Sequence, residues 1–185
     1  MTGSAQPKDA VRAAVRERRR DLVPGRDRAA DATAIARLGL EAGYAAGLAP
    51  GDWVAVYESL PSEPPTEALI AALEARGIRV MVPITRPDWE LDWREVDDPH
   101  GTPLGLDAIG RAGVVFVPAQ SVDRAGTRVG RGKGCYDRAL PRTAAVTIAV
   151  VHPWEVSGEP LPHDEHDRPV DAVLTADGLT PLERD

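Results

Sequence analysis

Trp53-Val54-Ala55-Val56-Tyr57 and Ile78-Arg79-Val80-Met81-Val82 are two apolar runs joined by the segment Glu58 to Gly77, and this stretch decides the fold. Each run is rich in β-branched residues and is short, as a strand is. Between them Thr66 stands where a helix N-cap belongs, Glu67 to Arg76 reads as a helix, and Gly77 closes it. Strand, short helix and strand within about 30 residues form a βαβ unit, which requires a right-handed crossover and parallel pairing.

The same theme continues on both sides. Towards the C-terminus Trp89, Leu91 and Trp93 alternate with acids, as in a half-buried strand. Val114 to Val117 and Val146 to Val151 are continuous apolar runs of the kind buried on both faces, and Ala172 to Leu174 is a short last strand. Towards the N-terminus Lys8 to Leu22 is helical. Val11, Ala14, Val15, Arg18 and Leu22 share one side, and Lys8, Arg12, Arg16 and Arg19 form a basic ridge beside it. Asp27 to Leu48 is a second, Ala-rich helix between Pro24-Gly25 and Pro50-Gly51. These elements predict a three-layer, Rossmann-like α/β fold, with a mostly parallel sheet flanked by helices.

The chain has 185 residues, 43% of them hydrophobic, enough for one good core. Its net charge of −7 argues against a general nucleic-acid or membrane-surface binder, so clustered cations must serve a local purpose. No apolar run is long enough to span a bilayer and Met1 to Pro7 lack a signal peptide's apolar stretch, so a cytoplasmic location is expected. Cys135 is the only cysteine, which excludes an intramolecular disulfide and a four-cysteine zinc site.

Gly126-Thr127-Arg128-Val129-Gly130-Arg131-Gly132-Lys133-Gly134-Cys135-Tyr136-Asp137 carries the chemistry. It follows the Val114 to Val117 strand through an Asp123-Arg124-Ala125-Gly126 turn, and open parallel sheets bind ligands at such strand ends. Alternate glycines let backbone N–H groups approach phosphate oxygens, Arg131 and Lys133 neutralise charge, and Asp137 suits a hard divalent ion. Two familiar phosphate loops fail on spacing. Thr127 occupies the first glycine position of a Walker A loop, and Cys135 stands where a dinucleotide fingerprint needs its third glycine.

Arg128-Val129-Gly130-Arg131-Gly132-Lys133-Gly134-Cys135-Tyr136-Asp137-Arg138 resembles the R-L-G-R-G-x-G-Y-Y-D-R signature of the 5-formyltetrahydrofolate cyclo-ligase family, and the resemblance extends over nearly the whole chain. Lys8 and Arg12 match the family's Lys-x-x-x-Arg, whose i, i+4 cations share one helix face and reach one triphosphate. Glu63 and Thr66 match an acid and a threonine before the helix of the βαβ unit, with Pro65 in place of a second acid. Leu161-Pro162-His163-Asp164-Glu165-His166-Asp167-Arg168-Pro169-Val170-Asp171 resembles the family's L-P-x-E-x-H-D-x-x-V-D.

The resemblance implies one cyclo-ligase-like α/β domain over residues 1–185, with residues 1–7 as a flexible tail. It implies ATP contacts from Lys8, Arg12, Arg128, Val129, Gly130, Arg131, Gly132, Lys133, Gly134, Cys135 and Tyr136. Folate contacts would come from Glu58, Glu63 and Arg131 to Cys135, that is Arg131, Gly132, Lys133, Gly134 and Cys135. Catalytic roles fall to Arg131, Lys133 and Tyr136, and Mg²⁺ to Asp137 and Asp171, because Mg²⁺ prefers a few carboxylates with phosphate oxygens and water. A zinc ion on His163 and His166 is the competing idea, but the pair lacks a third ligand. Trp89 and Trp93 with Leu91 offer either an apolar face for a flat ligand or a strand's core face.

The implied activity is ATP-dependent cyclisation of 5-formyltetrahydrofolate to 5,10-methenyltetrahydrofolate with release of ADP and phosphate. ATP and a reduced folate are then the partners, with no nucleic acid or membrane, and a monomer is expected. Cys135 replaces an aromatic of the signature, and the chain is shortened between Trp93 and Leu104. Both departures lie on the folate side. They leave open a different formylated or carboxylated acceptor, or a nucleotide-binding protein without catalysis.

Overall fold

The computed structural model describes residues 7–182; most of the expected N-terminal tail lies outside them. Lys8–Leu22 forms α1, Arg28–Ala45 α2, Trp53–Ala55 β1, Glu67–Glu74 α3, Arg79–Thr85 β2 and Leu91–Glu95 β3. Ala112–Pro118 forms β4, Ser121–Val122 β5, Arg128–Val129 β6, Cys135–Ala139 α4, Val146–Val150 β7, Ala172–Thr175 β8 and Gly178–Pro181 β9. A seven-stranded sheet runs β3-β2-β1-β4-β7-β8-β9, and β5 and β6 form a separate two-stranded hairpin. The inner strands pair in parallel, whereas β3 and β9 pair antiparallel at the two edges.

The continuous apolar runs are explained by the sheet's two covered faces. Val54, Val80, Val82, Val114, Phe116, Ile148, Val150 and Leu174 point to the side of Ile35, Leu69 and Leu73 on α2 and α3. Their neighbours Ala55, Met81, Val115, Val117, Ala149 and Val173 point to the other side, against Trp93, Ile109 and Leu140. Since successive side chains alternate across a strand, burial on both faces leaves few polar positions, Thr147 among them.

The helix ends follow local chemistry. Asp27 caps α2 by accepting from the N–H groups of Ala29 at 3.1 Å and Ala30 at 3.0 Å. α2 ends at Ala45 rather than Leu48: Gly47 N–H bonds Tyr44 O and Leu48 N–H bonds Gly43 O, both at 3.0 Å, which turns Leu48 back into the core. α3 stops its α-helical run at Glu74 and closes through Gly77 N–H to Glu74 O and Ile78 N–H to Leu73 O. Thr66 precedes α3 without capping it. Its hydroxyl donates instead to Tyr57 O at 2.6 Å, tying the helix start to the end of the first strand.

Further expectations need correction. The ladder of β1 ends at Ala55, although Val56 and Tyr57 continue extended and buried, and β9 adds an edge strand beyond the expected last one. Trp89 lies outside β3, 42% exposed, whereas Leu91 and Trp93 are core residues, so no three-residue apolar face exists. On α1 the expected stripe is buried only at Val15: Leu22 is 42% exposed, and Arg19 of the basic ridge is buried. α1 packs through a row of Lys8, Arg12, Val15 and Arg19, spaced so that its cations point at loops.

Arg19 meets Glu155 through two bonds, Nε at 2.6 Å and Nη2 at 2.9 Å, and Nη2 also donates to Ala119 O. Burial pushes the Glu155 carboxyl above its ordinary range against the opposing pull of Arg19. Glu155 also accepts from His152 N–H at 2.9 Å; the His152 ring stacks on Trp154 at 4.5 Å and bonds Ser62 O at 3.1 Å. Burial pushes His152 down to about 4.

Breaking a buried pair leaves an uncompensated charge, so Arg19→Met should cost about 3–5 kcal/mol in urea unfolding, and the Arg19→Met/Glu155→Leu double variant less. His152 stays neutral in the folded chain but titrates near 6.5 when unfolded. Its contribution is therefore complete above about pH 6.5 and is lost as pH falls towards 4, by up to about 3 kcal/mol. Urea midpoints at pH 7 and pH 5 should converge in His152→Gln relative to the parent chain.

Candidate active site

The hairpin of β5 and β6 delivers the glycine loop, and Asp123 organises it. Its carboxylate accepts from Ala125 N–H at 3.0 Å, Thr127 N–H at 2.9 Å and, from the C-terminal segment, Leu161 N–H at 2.8 Å. The expected turn is present, with Gly126 N–H on Asp123 O at 3.1 Å, and Val170 N–H bonds Gly126 O at 3.0 Å. Gly126 has φ 84°, and a Cβ there would stand 2.5 Å from Val170 O, so this first glycine is required by chain crossing. β6 then hands the chain to Gly130–Gly134, and α4 begins at Cys135.

α1 brings its two cations to this loop. Arg12 Nε donates to Gly130 O at 2.9 Å, while Asp9 holds its Nη1 at 2.6 Å. Gly132, at φ 99°, lies so close that a Cβ would be 3.2 Å from Arg12 Cζ. Lys8 Nζ reaches the segment before β8, at 2.7 Å from Asp164 and 2.5 Å from Asp167. Burial opposes the charge of Lys8, and the two acids overcome it and raise its pKa; Asp167, opposed likewise by burial, is lowered chiefly by Lys8. Asp167 also accepts Asp164 N–H at 2.7 Å, so it, rather than the exposed His166, pins this segment.

The loop cations differ. Arg131 is exposed and, among the described residues, makes no hydrogen bond or ion pair. Lys133 Nζ sits 4.4 Å from the centroid of the Trp89 ring, and Lys133 O accepts from Arg138 Nη1 at 2.7 Å. Arg128 is buried and pairs with Asp137 at 2.5 Å, leaving its Nε without a partner. Tyr136 packs against the core; burial pushes its hydroxyl well above the usual range, so it is neutral at working pH and without a partner. Cys135 is half-buried beside it, its thiol pushed up by burial, which suits a packing residue and not a nucleophile.

Asp137 and Asp171 line adjoining cavities of 420 and 390 Å³ that share Pro141, Arg168 and Pro169 as a common wall. Asp171 accepts from Thr147 N–H at 2.8 Å. Among the described residues no three His, Cys, Asp or Glu converge as a metal site, which leaves the zinc idea without a ligand set. Two separate carboxylates are hard oxygen donors of the kind Mg²⁺ uses alongside phosphates rather than in an all-protein cage.

On the folate side the expected residues separate. Glu63 is buried and its carboxylate accepts Leu60 N–H at 2.9 Å, whereas Glu58 is exposed and pairs with Arg94 at 2.9 Å. Tyr57 Oη and Gln120 Oε1 are buried without partners, and Tyr57 is coupled electrostatically to both Glu63 and Tyr136. The sequence marks Asp123 only as part of a turn and gives Asp164 and Arg138 no role, although all three hold these segments in place. Asp123 carried a signal, the Asp-x-x-Gly turn, whereas partners distant in sequence carried none.

The chain matches the model of the 5-formyltetrahydrofolate cyclo-ligase family over residues 4–176. It is similar to a 5-formyltetrahydrofolate cyclo-ligase of Mycolicibacterium smegmatis, 35% identical over 192 aligned positions that cover 93% of this chain and 95% of that protein. Its fold is similar to that of a 5,10-methenyltetrahydrofolate synthetase from Mycoplasma pneumoniae, with TM-score 0.75 at 18% identity, covering 92% of this chain and 99% of that one. The synthetase from Aquifex aeolicus gives TM-score 0.75 at 23% identity, covering 96% and 94%. A matched model spanning nearly the whole chain, with the signature loop seated against Arg12, leaves one assignment: the chain belongs to the 5-formyltetrahydrofolate cyclo-ligase family.

Proposed function

We propose that this chain uses ATP to convert 5-formyltetrahydrofolate to 5,10-methenyltetrahydrofolate, releasing ADP and phosphate. The observation that carries the reading is the junction of α1 with the glycine loop, where Arg12 bonds Gly130 O and Lys8 stands one turn earlier on the same face. Such a cluster of cations and open backbone suits a polyphosphate. Lys8 exchanges Asp164 and Asp167 for phosphate oxygens, and Arg128 to Tyr136 line the nucleotide.

A formyl amide is a poor electrophile, so its oxygen must become a leaving group. That oxygen attacks the γ-phosphorus, N10 attacks the formyl carbon, and phosphate departs as the ring closes. Arg131, exposed and without a hydrogen bond or ion pair among the described residues, offsets charge on the transferred phosphoryl group together with Lys133. Mg²⁺ brought with ATP and held by Asp137 and Asp171 would neutralise and orient the triphosphate. The buried Glu63 meets the folate, with Glu58 at the rim of that region. Tyr136, neutral at working pH, serves by packing and hydrogen bonding and transfers no proton. The protein acts on its own as a monomer in the cytoplasm; no described helix is long and apolar enough to cross a membrane.

Mixing the purified chain with Mg-ATP and 5-formyltetrahydrofolate should produce the methenyl chromophore together with one phosphate per turnover. ATP binding without that chromophore would overturn the reading. Arg131→Ala and Lys133→Ala should each lower kcat/KM on the order of a hundredfold, with unchanged circular dichroism because both side chains are exposed. Activity at the parent level in both variants would remove the loop cations from the mechanism.

A further inference from the structure

Trp89 is spent in a way that no packing need explains. It sits in the turn between β2 and β3, closed by Arg86 N–H on Glu90 O and Trp89 N–H on Arg86 O, both at 3.0 Å. At φ 65° it is the only non-glycine residue with a positive φ among those described. That conformation suits glycine or asparagine, and a bulky side chain there costs stability. The indole is 42% exposed, unlike the fully buried Trp93. The Lys133 ammonium lies over its ring, 4.4 Å from the centroid.

The two partners are held in register by a chain of arginines. Arg142 Nη1 bonds Glu90, the residue after Trp89, and Arg138 O, both at 2.9 Å. Arg138 Nη1 in turn bonds Lys133 O at 2.7 Å. The turn, α4 and the glycine loop thus share one scaffold, while the exposed Lys133 side chain makes no hydrogen bond or ion pair among the described residues. A cation over an exposed ring is held weakly, whereas a triphosphate offers charge-assisted bonds of much greater strength. Nucleotide therefore removes the lysine from the ring. The uncovered face is flat, apolar and adjacent to the loop, and a planar aromatic ligand stacks on such a surface.

We propose that Trp89 is a shared dock: its ring holds Lys133 while the nucleotide site is empty, and stacks against a ring of the folate once ATP has drawn the lysine away. This deepens the activity proposed above and rests on it for the identity of the second ligand. It makes binding ordered, since nucleotide uncovers the surface that the folate needs, and it makes Trp89 a specificity-determining residue.

Two measurements test it, and neither requires turnover. First, a non-hydrolysable Mg-ATP analogue added alone should change the indole emission, and the change should vanish in Trp89→Phe; an identical change in both proteins, or none in the parent, overturns the dock. Secondly, calorimetry should give a dissociation constant for 5-formyltetrahydrofolate about tenfold lower with the analogue than without it. Trp89→Phe should keep that gain and Trp89→Leu should lose it. Equal gains in all three proteins overturn the stacking role, as does no gain in the parent. Because both readouts concern binding, loss of the cyclo-ligase activity itself would be seen separately, in the chromophore assay.

Discussion

Arg19 and Glu155, paired out of contact with water, set the rotation of α1 about its own axis. A guanidinium in that position has one acceptable orientation, with both nitrogens on the carboxylate and one also on Ala119 O. Everything on the same helical row is then fixed too. Val15 is buried, Arg12 meets the glycine loop, and Lys8 meets Asp164 and Asp167. The same carboxylate anchors His152, whose ring bonds Ser62 O in the loop that carries Glu63. One ion pair therefore couples the helix whose cations are proposed to bind phosphate to the segment proposed to meet the folate. Its contribution is to geometry more than to stability, since buried pairs return little net free energy.

The sheet was legible because its physics is periodic. Runs such as Val114 to Val117 and Val146 to Val151 have one explanation, strands covered on both faces, and the order of strands and helices then selects a parallel sheet. β9 was not legible, since Gly178–Pro181 has no apolar pattern and owes its place to pairing with β8. The buried side of α1 was misread for a related reason: its amphipathic stripe is real, but the partner surface is polar, and a fully paired Arg19 satisfies it better than Leu22 would. Hydrophobic periodicity cannot register a helix that docks through charge.

The glycine loop's spacing suggests a phosphate cradle but says little of its geometry, in which Arg12 lies against Gly130. Yet its glycines divide into two kinds. Gly126 is demanded by the crossing of the Val170 backbone, whereas Gly132 makes room for a neighbouring guanidinium. No spacing rule separates these reasons. Nor does the sequence indicate that Lys133 turns from the loop to Trp89, because that contact depends on a turn 44 residues away in the chain.

The pairing of Lys8 with Asp164 and Asp167 bears on how the enzyme lives between encounters with nucleotide. On the reading proposed above, Lys8 is not a bare positive charge but part of a closed set in which carboxylates stand where phosphate oxygens are proposed to bind. On that proposal loading is an ion exchange, and the anions released belong to the C-terminal segment that also carries Arg168 and Asp171. The chain thus carries its own counter-ion for Lys8, and the proposed ligand would need enough charge to displace two aspartates at once.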